Sequence, residues 1–86
     1  MKIICYNNEK REILLKERWI DLYIIADMIN NWNILDDLPH PKRKNQKIFI
    51  INYDWYPCEV PYVETDNKIF LKTAFFDREL KKFYSL

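Results

Sequence analysis

The chain contains no glycine, one histidine, one serine and two cysteines among its 86 residues, and each scarcity removes a class of chemistry. Without glycine, a phosphate-cradling Gly-rich loop cannot form. Every left-handed backbone position is then expected to fall to Asn or Asp, the residues that tolerate it best after glycine. His40, Cys5 and Cys58 are too few and too widely spaced for a zinc site, so neither a metal nor a cofactor is expected. Ser85, at the tail, leaves no serine triad to build. No apolar run approaches the roughly 20 residues that span a bilayer. The opening residues Met1–Tyr6 are too short and too soon interrupted for a secretory h-region. The cysteines therefore read as reduced thiols, and a cytoplasmic location without membrane contact is expected.

What is present points to a folded domain. Apolar residues make up 49% and aromatics 16% of the chain, far from a disordered composition. Its length fits one domain over 1–86 with one core. Aromatics bury a large area each, which helps so short a chain build that core. The net charge is +1 but unevenly spread. Residues 1–37 carry five basic side chains against seven acidic ones, and residues 38–86 carry nine against six. The basic excess gathers at Lys42-Arg43-Lys44 with Lys47, and again at Lys68, Lys72, Arg78, Lys81 and Lys82. Phosphate contacts act over about a Debye length, so a local positive face matters more than overall charge.

Along the chain, Ile3–Tyr6 reads as a short strand. Asn7 or Asn8 can cap a helix with Glu9 in its first turn, running to about Arg18, with Ile13, Leu14 and Leu15 as its apolar surface. Asp21 reads as a second N-cap. Beyond it Leu22, Ile25, Ala26, Ile29 and Trp32 form an amphipathic stripe, ended by Asn30, Asn31 and Asn33. Residues 34–46 form a connector that Pro39 and Pro41 keep extended across the surface. Three strands follow, Lys47–Tyr53, Cys58–Thr65 and Lys68–Phe76, with turns at Tyr53–Tyr56 and Asp66-Asn67. Asp77 then caps one or two helical turns ending near Tyr84. Pro57 and Pro61 share parity, so both missing donors face the same neighbour, and Pro61 requires a bulge or an unpaired stretch.

These elements describe an α+β domain, β-α-α-β-β-β-(α), with two helices on one face of a mostly antiparallel sheet. In the last strand Ile69, Leu71, Thr73 and Phe75 are expected under the helices. Lys68, Phe70, Lys72, Ala74 and Phe76 would form a cationic and aromatic outer face, of the kind that binds single-stranded nucleic acid.

The segments Ile34-Leu35-Asp36, His40-Pro41, Asn45–Phe49, Val60–Glu64 and Ile69–Thr73, with the ending Asp77-Arg78, Lys82 and Tyr84, resemble the BrnT-type, RelE-like toxin family. The likeness covers most of residues 9–84 in order and spacing. It implies a RelE-like fold and the toxin half of a type II toxin–antitoxin pair. Such a toxin inhibits translation by metal-independent RNA cleavage, with ribosome-bound mRNA among the RNA targets. It also implies a cognate antitoxin, usually a ribbon-helix-helix DNA-binding protein, with operator DNA met only through the complex.

Metal-free RNA cleavage needs a base near the 2′-OH, cations for the phosphate and an acid for the leaving oxygen. His40 is the candidate base or acid, Lys47 and Lys72 the cations or tuned bases, and Arg78 the phosphate clamp. Lys42, Arg43, Lys44, Lys81, Lys82 and Tyr84 are the candidate RNA guides. Each also has a plainer reading. His40 between prolines fits a surface turn, Lys42–Lys44 a solvated loop, and Lys72 an exposed strand lysine. Arg78 has Glu79 or Glu64 to pair with, and Tyr84 suits packing at the tail. Trp19, Trp32 and Trp55 read as core or partner-interface residues. A noncatalytic protein-interaction module on the same fold is therefore the alternative.

Overall fold

The computed structural model describes residues 2–86. Strand β1 (Ile3–Tyr6) leads into helix α1 (Asn8–Arg18), and α2 (Leu22–Asn30) follows. Asn7 caps α1 by accepting from Lys10 N, and Asp21 caps α2 by accepting from Tyr23 N. Strands β2 (Asp36–Pro39), β3 (Gln46–Tyr53), β4 (Tyr56–Glu64), β5 (Lys68–Leu71) and β6 (Phe75–Phe76) come next. A 3₁₀ turn (Arg78–Leu80) and a one-turn helix α3 (Lys81–Tyr84) close the chain. The sheet runs β1-β5-β4-β3-β2, with β6 on β4. All pairings are antiparallel except β1 with β5. The fold is α+β with a mixed sheet.

Both helices pack on one face of that sheet. Leu14, Ile20, Leu22, Ile25 and Ile29 meet Phe49, Ile51, Cys58, Val60, Tyr62 and Leu71 in one core. Of the three apolar residues expected to serve α1, only Leu14 is buried; Ile13 and Leu15 are exposed. The α2 stripe holds through Ile29 and then stops. Trp32 lies beyond the Asn31 cap and is exposed, because the helix ends before the stripe's next turn.

The connector is not merely a surface crossing. Asp36–Pro39 pair with Ile50–Lys47 as an edge strand, satisfying backbone groups that an unpaired segment would leave to water. The last strand is likewise not continuous. Tyr62 pairs with Leu71 and Glu59 with Phe75, so residues 60–61 oppose residues 72–74. One extra residue is accommodated there, as in a β-bulge. Pro61 explains its position. Its carbonyl accepts from Lys72 N, and that of Pro57 from Asp77 N, so both prolines turn their missing donors toward the C-terminal strands. Arg18 Nη1 donates to the Ala74 carbonyl at 2.9 Å, satisfying an acceptor the bulge leaves over. The slip puts Ala74 in the core, not on the outer face where strict alternation places it.

The sheet's second face is covered as well. Ile48, Ile50, Pro57 and Pro61 point away from the helices yet are buried. The C-terminal segment crosses there: Tyr84 Oη donates to Asp36 Oδ2 at 3.0 Å, and the Lys81 ammonium sits 4.5 Å from the Tyr56 ring centre. That face is acidic where the tail meets it, with Glu59, Asp77 and Asp36 gathered together. Of the expected cationic and aromatic outer face, Lys68, Phe70 and Lys72 are exposed on β5 and just beyond it, whereas the bulge takes Ala74 into the core and Phe76 pairs with Cys58.

Candidate functional site

The candidate RNA-directed residues divide into separate groups. One sits at the sheet end where β2 stops and β3 begins. There His40 N donates to Gln46 O, and His40 Nδ1 accepts from the backbone N–H of Lys42 and of Arg43, both at 3.1 Å. Two amide donors at Nδ1 hold the ring in place against the turn. His40 thereby organises the turn that presents Lys42, Arg43 and Lys44 to solvent. The turn reading of His40 and the loop reading of Lys42–Lys44 describe what the side chains do here.

Lys47, the second residue of β3, has the parity of Phe49 and Ile51, toward the helix layer. Its ammonium lies 3.5 Å from Asp37 Oδ2. Asp37 Oδ1 also accepts from Tyr62 Oη at 2.7 Å. Burial, and then the Asp37 carboxylate, push the Tyr62 hydroxyl well above its ordinary value, so it stays a proton donor. This Lys47–Asp37–Tyr62 trio was not legible in the sequence, because it depends on the β2–β3 register.

The other candidates lie elsewhere. Lys72 follows the core residue Leu71 and projects with Phe70, 5.8 Å from that ring's centre, close to Asn7 and Lys10 at the start of α1. Arg78 is exposed on the 3₁₀ turn and pairs with neither Glu79 nor Glu64, the latter being taken by Lys2 at 2.7 Å. Lys81 and Tyr84 are tied to Tyr56 and Asp36, and Lys82 is exposed. Lys47 stands level with Tyr62 on β4, while Asp77 bonds at Pro57, five residues away and on the other face. At ~3.3 Å per residue that is roughly 17 Å along the strand. One phosphate cannot touch Lys47 and Arg78 together, so the four expected catalytic residues do not form one centre. Among the described residues, no three His, Cys, Asp or Glu side chains gather as metal ligands would.

The tryptophans are the stronger signal. Trp19, Trp32 and Trp55 are 84%, 81% and 73% exposed, so none is a core residue. All three have positive φ, at 62°, 54° and 65°. Among the described residues the other left-handed ones are Asp54 and Ser85, so the expectation that Asn and Asp would fill these positions holds at Asp54 alone. The two-residue turn between β3 and β4 needs two left-handed residues, and the chain offers Asp54 and Trp55. Trp19 likewise occupies the C-cap of α1, a glycine's usual place.

Trp19 lines a surface next to the turn that carries Trp55. A groove of about 410 Å³ is lined by Trp19, Ile24, Met28, Tyr53 and Asp54. A second depression continues from it to Tyr56 and Phe76, with Trp55 on the connecting turn. Tyr53 and Tyr56 each meet Phe76 edge-on, which makes the aromatic wall stiff. Asp54 supplies the groove's charge. The residues were legible as a group of large aromatics; their convergence at the hairpin end was not.

No helix among the described residues is long and apolar enough to cross a membrane. Comparisons with protein-family models, with curated proteins and with solved structures find no match.

Proposed function

We propose that this chain works by binding a protein partner, as a noncatalytic module, through the aromatic groove at the β3–β4 hairpin end. One observation carries the reading: Trp19 and Trp55, at that end of the molecule, both stand exposed in left-handed backbone conformations. A bulky residue there costs roughly 1–2 kcal/mol relative to the right-handed region, a cost glycine avoids. The indoles gain little burial in return. The C-cap and the turn each need a left-handed residue but not an indole, so the choice of Trp at both is explained by a gain in binding, where rigid Trp side chains are the most effective anchors. Asp54 on the rim suits an apolar segment with basic flanks.

The resemblance names the natural candidate, an antitoxin of ribbon-helix-helix type encoded beside this chain. The test is calorimetric titration of the adjacent gene's product against the native chain and against Trp19→Gly and Trp55→Gly. Each variant is expected to melt at a higher temperature than the parent and to bind at least about tenfold more weakly. Unchanged affinity in both variants refutes the reading.

A second reading keeps the toxin activity. It is favoured by the resemblance and by the exposed Lys42–Lys44 turn, which no acidic side chain pairs among the described residues. Expression of the chain alone separates the two. A toxin arrests growth and depletes message, and Arg78→Ala or neutralisation of Lys42, Arg43 and Lys44 relieves both effects. A binding module does neither.

A further inference from the structure

A cavity of about 310 Å³ lies at the C-terminal end of α2, lined by Ile29, Asn30 and Trp32 together with the sheet residues Phe49, Tyr62 and Ile69. It lies at the low end of the ~300–1,000 Å³ range of small-ligand pockets. Its walls are mostly aliphatic, with Ile4 and Ile34 among them, and Tyr62 lines it too. Two charged pairs flank it: Lys2 with Glu64 at 2.7 Å, and Asp37 with Lys47 at 3.5 Å.

We propose that this cavity binds a guanine base, with Asp37 reading its donor edge and Trp32 stacking on its face. The inference stands apart from the partner groove, which shares none of these residues.

Asp37 selects the edge. Its carboxylate spends one acceptor direction on Tyr62 and one toward Lys47, out of roughly four that two oxygens offer. What remains is a two-oxygen acceptor that matches two adjacent N–H donors. Among the bases only guanine presents such a pair, N1–H beside the N2 amino group; adenine and cytosine each place an acceptor next to their amino group. A guanidinium cation carries the same two donors. Lys2 and Lys47 already neutralise Glu64 and Asp37, so an added cation would have no carboxylate left to balance it. A neutral base also gives Lys2 something to donate to, at guanine O6 and N7. A purely aliphatic occupant would cover both charged pairs with no new hydrogen bond in exchange. Trp32, which lines the cavity and is 81% exposed, provides the stacking surface.

The test uses the full chain as the double variant Trp19→Phe/Trp55→Phe, which leaves Trp32 as the single tryptophan reporter. GMP, AMP, ribose 5-phosphate and methylguanidinium are titrated against its fluorescence. GMP is expected to quench Trp32 with saturation, and AMP to bind about tenfold or more weakly. Asp37→Asn should remove the preference for GMP over AMP. If that variant does not fold, Trp32→Ala, followed by calorimetry, should weaken GMP binding to a similar degree. The pentanucleotides AAGAA and AAAAA identify the source. Binding of GMP itself points to a free nucleotide, and binding of AAGAA without GMP points to a base within a strand; either supports the site. Equal affinity for AMP or ribose 5-phosphate, tighter binding of methylguanidinium, or no binding by any probe overturns it.

Discussion

Replacing Glu59 with glutamine should stabilise this protein in alkaline solution and do nothing in acid. Glu59 sits on β4 facing the C-terminal segment, with Asp77 its neighbour across the β4–β6 pairing. Burial, then the hydrogen bond and charge of Asp77, push its carboxyl from an ordinary 4.5 up to about 7. The folded state therefore holds a proton between those values that the unfolded chain has released. Stability falls as pH rises through that window, is fully reduced above 7, and is unaffected below 4.5. At 1.36 kcal/mol per pH unit, the displacement corresponds to roughly 3.4 kcal/mol before solvent screening. The carboxyl is only partly buried, and water screens well over half of that, leaving about 1–1.5 kcal/mol. Glu59→Gln keeps the shape and supplies an amide N–H to Asp77. At about 4–8 °C per kcal/mol for a domain this size, its melting temperature should exceed the parent's by roughly 5–10 °C at pH 8. The gap should close by pH 4. Thermal unfolding followed by circular dichroism at four or five pH values measures it. A gap independent of pH, or a glutamine variant less stable at pH 8, would refute the reasoning.

Other outcomes follow from the same contacts. Asp21 caps α2 and accepts from Arg11 Nε at 2.7 Å, and Arg11 holds its carboxyl below 3.8. Asp21→Ala should cost about 1–2 kcal/mol in urea unfolding, while Asp21→Asn, which retains the cap, should cost less. The Asp21 contribution is present above pH 3.8 and lost as pH falls through its lowered value; a penalty that does not shrink as pH falls below 3.8 would count against this. Cys58 is fully buried and its thiol is pushed up to about 12, chiefly by burial. An aromatic disulfide reagent at pH 8 should therefore label Cys5 alone in the native protein and both thiols in guanidinium. Rapid native labelling of both would show that the core opens.

Local order was largely readable. The caps at Asn7 and Asp21, the α2 stripe through Ile29 and the turn at Asp66-Asn67 sit where short-range chemistry places them. The shared parity of Pro57 and Pro61 was also sound, since side-chain alternation along a strand is fixed by the backbone alone. Two errors came from the same source. Asp36–Pro39 carries no strand signal of its own, yet β3 offered an unpaired edge and the segment took it. The bulge at residues 72–74 then reversed the expected placement of Ala74, because a single missing donor on Pro61 outweighed regular alternation.

The sequence by itself determined an α+β domain with helices on one sheet face, since periodicity and capping act within a few residues. It also determined that glycine's positions would have to be filled by something costlier. Only the tertiary structure decided that tryptophan fills three of them in the open, and that the basic residues are dealt to opposite faces and ends. Those outcomes depend on strand order, register and one bulge, which are set by contacts between residues far apart in the chain.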